Sequence, residues 1–200
     1  MKKVFERVRV DLVKWGQSGL PLALAAWLPL GGCLLSGCQT PAAVKPAAEA
    51  KAIRINAGAT EPHVAPDGSV WLSDRGFADG RTVDRGPLEI AGTVMPVLFR
   101  TERYGMTRFS CPVANGEYEV RLHFAETFAR ITEKGQRVFS VKVEDREIKD
   151  LDVLAKTGAP RTACMEKVVV QVKDGKLDIT FTPGIQNPMI NALEIISRPQ

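Results

Sequence analysis

Glu117-Tyr118-Glu119-Val120-Arg121-Leu122-His123-Phe124 is the stretch on which the fold turns. Its apolar side chains, Tyr118, Val120, Leu122 and Phe124, recur every second residue, with Glu119, Arg121 and His123 between them. A period of two is the signature of a strand whose successive side chains point to opposite faces, one facing a core and the other wetter. The same alternation returns downstream. Phe139, Val141 and Val143 interleave with Val138, Ser140 and Lys142, and Leu177, Ile179 and Phe181 interleave with Asp178 and Thr180. Val168–Val172 is a mostly β-branched, apolar run, broken only by Gln171, and suited to a buried strand. Turn chemistry separates these runs. Asn115-Gly116 precedes one strand, and Asp174-Gly175, between Val172 and Leu177, reads as a hairpin turn. Ile53–Asn56, Val97–Thr101, Thr107–Cys111 and Leu193–Ser197 are further strand candidates. So many short strands, with no long helical pattern among them, predict an all-β domain, an antiparallel β-sandwich or barrel.

The N-terminal part has a different composition. Lys2, Lys3, Arg7, Arg9 and Lys14 precede an uncharged stretch from Trp15 to Gly37, which contains the apolar run Leu20–Leu30. A basic segment followed by an apolar one is the pattern of a secretory signal. A membrane-spanning helix is the alternative, but Pro21, Pro29, Gly31 and Gly32 interrupt it. The stretch ends in Leu35-Ser36-Gly37-Cys38, which resembles the lipobox of bacterial lipoproteins. That resemblance implies a lipoprotein signal peptide over residues 1–37, acylation of Cys38, and an exported chain lipid-anchored to the cell envelope. Gln39 after the cysteine leans towards the outer membrane in a Gram-negative source. Residues 38–52 form the acylated N-terminus and a Pro/Ala-rich spacer, and residues 53–198 form the folded domain.

Charge bears on partners. The 200 residues carry 27 Lys and Arg against 23 Asp and Glu, a formal net charge of +4. Five of those bases and two of the acids lie in residues 1–37, so the remainder keeps 22 and 21, a net of +1. That balance removes the electrostatic motive for nucleic-acid binding and points to a neutral ligand. No nucleophile elbow, phosphate-binding loop, dinucleotide fingerprint or zinc motif occurs, so the pattern calls for no catalytic residue, no cofactor and no metal. Asp74, Asp79 and Asp84 lie among glycines at a spacing of five, which does not fit a calcium loop and favours a solvated, turn-rich segment. His123, on the polar face of its strand, reads as a surface residue. Asn56 and Asn191 read as structural partners of turns.

An ordered set of segments then suggests a family. Ile55-Asn56-Ala57-Gly58 comes first, followed by Thr101-Glu102-Arg103-Tyr104-Gly105 and Gly116-x-Tyr118-x-Val120-x-Leu122-x-Phe124-Ala125-Glu126. Arg137-Val138-Phe139 and Asn187-Pro188-Met189-Ile190-Asn191-Ala192-Leu193-Glu194-Ile195 complete it. Together they resemble a malectin domain, the malectin-like carbohydrate-binding family, over about residues 53–198. The resemblance implies a galactose-binding-like jelly roll with a sugar cleft built from loops at one end. Its expected ligand is a neutral oligosaccharide or glycan, glucose-containing in the founding members.

Sugar chemistry gives these residues a physical meaning. The C–H face of a sugar is apolar and stacks on aromatic rings, while its hydroxyls need amide, carboxylate or backbone partners. The resemblance assigns Tyr104 to the cleft as a stacking ring, with a packed tyrosine as the bland alternative. Phe128 falls where the family often has two consecutive aromatics, but Ala129 stands in the second place. A core role for Phe128 is the alternative. Gln186, before Asn187, matches an aspartate of the founding members and lacks its charge. By analogy the segment from Trp71 to Leu88 supplies a third aromatic, and Phe77 is the one between those ends. Ala129 and Gln186 also motivate a second reading, an envelope protein or peptide binder that keeps the sandwich but not the sugar site. Cys111 and Cys164 remain once Cys33 leaves with the signal and Cys38 is acylated; an exported chain permits a disulfide between them.

Overall fold

The computed structural model describes residues 51–198. The signal, the Cys38 lipidation site and the spacer up to residue 50 lie outside the described residues. In chain order the strands are β1 (Ala52–Asn56), β2 (His63–Val64), β3 (Val70–Trp71), β4 (Arg81–Asp84), β5 (Thr101–Tyr104), β6 (Arg108–Pro112) and β7 (Gly116–Phe124). They continue with β8 (Val138–Val143), β9 (Arg146–Leu151), β10 (Cys164–Val172), β11 (Lys176–Ile185), β12 (Met189–Ile190) and β13 (Ala192–Arg198). Among the described residues one helix, α1 (Val153–Thr157), and a 3-10 turn at Pro96–Phe99 interrupt them. Among the described residues no helix is long and apolar enough to cross a membrane.

Two four-stranded antiparallel sheets make the sandwich. One has the order β1-β13-β7-β10 and the other β6-β11-β8-β9. The alternation that opened the sequence reading determines what lies between them. Tyr118, Val120, Leu122 and Phe124 are buried, and Val120 sits opposite Val168 on one side and Ile195 on the other. From the second sheet Phe109, Phe139, Val141, Leu177, Ile179 and Phe181 meet them in one core. Each such side chain contributes about 1.5–3 kcal/mol when fully removed from water.

Three expectations are corrected. Asp174-Gly175 is not a hairpin turn, because β10 belongs to the first sheet and β11 to the second. Asn115-Gly116 likewise carries the chain from β6 to β7, between sheets, and the two crossings are tied by Gly175 N–H donating to Asn115 Oδ1 at 2.8 Å. A turn motif says that the chain reverses; the sheet it then joins depends on which apolar faces meet. The Val97–Thr101 candidate divides, with the 3-10 turn over Pro96–Phe99 and β5 starting at Thr101. Pro96 fixes φ near the helical value and has no N–H for a ladder. His123 is also not a surface residue: its side chain is 16% exposed, with Trp71 and Phe99 edge-on at centroid distances of 5.7 and 6.2 Å. The outer end of the first sheet is covered by a second small core containing Trp71, Ile90, Leu98, Phe99, Ala125 and Ala192.

Candidate functional site

A third, three-stranded sheet, β12-β5-β4, builds the candidate site. Alternation along Thr101-Glu102-Arg103-Tyr104 sends Glu102 and Tyr104 to one face and Thr101 and Arg103 to the other. The second face is structural. Thr101 Oγ1 lies 3.0 Å from the Asn56 side chain, and Arg103 Nε donates to Asp74 Oδ2 at 3.0 Å. The first face opens to a cleft. Val83 of β4 pairs opposite Glu102, and Arg85 follows two residues later on the same side. Tyr104 lies opposite Met189, which brings the 186–188 loop alongside it. Gly105 fixes that approach: its φ is +67°, its N–H donates to Pro188 O at 2.8 Å, and a Cβ there would lie 3.6 Å from the Asn187 side chain. Gln186 itself has φ +64°, a conformation uncommon for a residue with a side chain, of the kind found at binding sites.

Tyr104, Phe128, Gln186 and Asn187 line one cleft of ≈ 330 Å³. They come from three separate parts of the chain, and the cleft is completed by Val83, Arg85, Glu102, Arg130, Ile131 and Arg137. Tyr104 and Phe128 are both partly exposed. The Arg85 guanidinium lies over the Phe128 ring at 5.4 Å, so at most one face of that ring remains for stacking.

Below the rim two buried glutamates order the basic side chains. Glu102, 1% exposed, accepts from Arg85 Nη2 at 2.6 Å and from Thr127 Oγ1 at 2.5 Å. Glu126, 2% exposed, accepts from the Phe128 N–H at 2.9 Å, which fixes the start of the Phe128 loop. Arg137 Nε stands 3.2 Å from Glu126 Oε2 without the alignment of a hydrogen bond. Burial pushes the Glu126 carboxyl above its ordinary value, outweighing the pull of Arg137 and of the Phe128 N–H.

Other expected residues lie elsewhere. Phe77 packs edge-on against Phe109 at 5.1 Å, beneath Arg103 at 5.3 Å, and is not part of the cleft wall; Val83 and Arg85 are the residues of the 71–88 segment that line the cleft. Cys111 and Cys164 are both free. They sit in different sheets, opposite Leu177 and Phe124 respectively. Burial pushes both thiols up, Cys164 to about 11, so neither is a thiolate at neutral pH. Asn191 is wholly buried; it accepts from the Ala125 N–H at 2.7 Å and donates to Thr101 O at 2.9 Å, which ties β5 to the end of β7. The three aspartates take separate partners: Asp74 pairs with Arg103, Asp79 accepts from Thr107, and Asp84 from the Gly86 N–H. Asp74, with a side chain 12% exposed, is an ion-pair member rather than a solvated turn residue. Among the described residues no group of three His, Cys, Asp or Glu side chains gathers as a metal site.

Comparison with known proteins fits this architecture. A family model described as the malectin domain matches residues 51–198. The chain belongs to the malectin-domain family. A malectin domain is a binding module. Among relatives, a probable receptor-like protein kinase of Arabidopsis thaliana is 33% identical over 130 residues, covering 54% of this chain and 16% of that protein. The chain spans only 13–16% of the length of the curated relatives it matches. In fold the chain is similar to part of a Bacteroides uniformis beta-glucuronidase (TM-score 0.66, 20% identity, 74% of this chain and 18% of that one). A chain in the crystal structure of plant peptide RALF23 in complex with FER and LLG2 is also similar in fold (TM-score 0.62, 19% identity, 72% of this chain and 48% of that one). At such identities the likeness is one of fold.

Sequence reading missed Val83, Arg85, Glu102, Arg130, Ile131 and Arg137 as wall residues of this malectin cleft. Glu102 was accessible to it, since a strand that presents Tyr104 also presents the residue two before. The arginines carried no local signal, because what they face is set by distant segments.

Proposed function

We propose that this chain is a non-catalytic carbohydrate-binding module, held at the cell envelope through a lipid on Cys38, and that the Tyr104–Phe128 cleft takes an oligosaccharide. The observation that carries the reading is the convergence of two aromatic rings and two side-chain amides on one open cleft in a malectin domain. Rings suit the apolar face of a sugar, and the Gln186 and Asn187 amides both donate to and accept from hydroxyls. The two carboxyls nearest the cleft, Glu102 and Glu126, are committed to internal partners, which suits a binding wall rather than an acid–base pair. Calorimetric titration with gluco-oligosaccharides and a broad glycan panel tests the proposal. Tyr104→Ala is expected to weaken binding at least about tenfold, roughly 1.4 kcal/mol; because Tyr104 also packs against the core, thermal unfolding of the variant separates lost contact from lost fold. Affinity that ignores this substitution, or no affinity across the panel, removes the site.

A second reading is a protein or peptide binder at the envelope. It is favoured by Arg85 over one face of Phe128, by Ala129 in place of a second ring, and by the fold shared with a receptor complex containing a peptide. Capture of an envelope protein by the purified chain, together with silence on the glycan panel, is the outcome that selects it.

A further inference from the structure

The near-neutral charge of the whole domain conceals a local imbalance. Three arginines, Arg85, Arg130 and Arg137, line the cleft with one glutamate, Glu102, and a second glutamate, Glu126, lies behind the wall. The two acids are turned inward. Both oxygens of Glu102 are taken by Arg85 and Thr127, and Glu126 Oε1 is taken by the Phe128 N–H. The bases keep donors in hand. Arg137 is 6% exposed and faces Glu126 Oε2 at 3.2 Å through Nε, yet neither its Nε nor its Nη1 makes a hydrogen bond, and Arg85 Nε makes none either. A buried guanidinium with unmatched N–H groups is costly, and a planar carboxylate is the acceptor that matches its fork. Arg130 adds an exposed positive charge on the same wall.

We infer that the ligand of this cleft carries an acidic sugar unit, its carboxylate held by Arg137 and Arg130 and its ring face laid on Tyr104. This rests on the saccharide reading above and names its chemical class: a uronic-acid-containing oligosaccharide rather than a neutral glucan. A neutral sugar would offer Arg137 only hydroxyls, which accept more weakly than a carboxylate.

The test is calorimetry on the full chain in detergent with oligogalacturonates and oligoglucuronates, each beside its carboxyl-reduced neutral counterpart, and with a hexaglutamate peptide. The acidic sugars are expected to bind at least about tenfold tighter than the reduced ones, and to weaken as ionic strength rises. Arg130→Gln, an exposed substitution that spares the fold, should narrow that preference several-fold; Arg137→Lys should narrow it further. Equal affinity for acidic and reduced sugars overturns the inference and leaves the saccharide reading standing. Silence on every sugar overturns both. Hexaglutamate binding as well as the acidic sugars overturns the sugar assignment. A preference untouched by both arginine substitutions overturns the assignment of these residues.

Discussion

At the scale of single residues, the cleft depends on buried charges whose partners are few and specific. Glu102 is the clearest case, because it holds both Arg85 and Thr127 while Tyr104, two residues on, faces the ligand side. Glu102→Gln keeps the shape and removes the charge, so it should cost about 2 kcal/mol of stability, read as a lower urea midpoint at an unchanged slope. Glu194 makes a different prediction. Burial alone would raise its carboxyl, but His123 at 3.1 Å, Arg121 and Arg54 together outweigh that and hold it below its ordinary value of 4.5. A carboxyl depressed in the folded state contributes stability above its unfolded value and loses it as pH falls through the folded one. The stability gap between the native chain and Glu194→Gln should therefore be widest near neutrality and close on acidification below about pH 4.5. A gap that stays constant across that range contradicts the linkage.

At the scale of elements, the β1–β5 junction is the tightest support of the site. Gly58 follows β1 at φ +81°, and a Cβ built there would stand 2.5 Å from the Glu102 carbonyl oxygen. Neither the backbone nor the contact has slack, so Gly58→Ala should destabilise by more than about 2 kcal/mol and displace β5, weakening ligand binding as well. Thermal unfolding and titration of the same variant check both parts. The strands themselves were legible wherever one face was apolar and the other polar, as in Glu117–Phe124 and Leu177–Phe181. Where both faces lacked that contrast the pattern was silent. β9, Arg-Glu-Ile-Lys-Asp-Leu, pairs with β8 through a tight turn at Glu144-Asp145, yet it has almost no apolar alternation to announce it. β4 and β12 are too short for any period to register.

At the scale of the whole molecule, the expectation is a folded binding domain tethered to a membrane. The N-terminal basic and apolar segments and Leu35-Ser36-Gly37-Cys38 make the prediction concrete. Cys38→Ser should abolish incorporation of labelled palmitate and shift the chain from the detergent phase to the aqueous phase on Triton X-114 partition. Unchanged partitioning would assign membrane attachment to another feature or remove it. The cysteines further on give a complementary reading. Cys111 and Cys164 are free and on separate sheets, so reducing agent should leave the unfolding midpoint unchanged.

Alternation and turn residues determined, in the sequence alone, an all-β antiparallel fold, while the resemblance of the ordered segments to a malectin domain nominated the four residues that meet in one cleft. They could do so because strand period and turn chemistry are local, and because the residues facing a strand's neighbour recur in fixed order. Tertiary structure alone decided that Asp174-Gly175 crosses between sheets, that His123 lies edge-on to Trp71 and Phe99, and that Arg137 lines the cleft beside Glu126 with buried donors that make no hydrogen bond. Each of those depends on segments tens of residues away closing over a face. Charge and burial at a site are properties of what surrounds a side chain, and no window of sequence contains that surrounding.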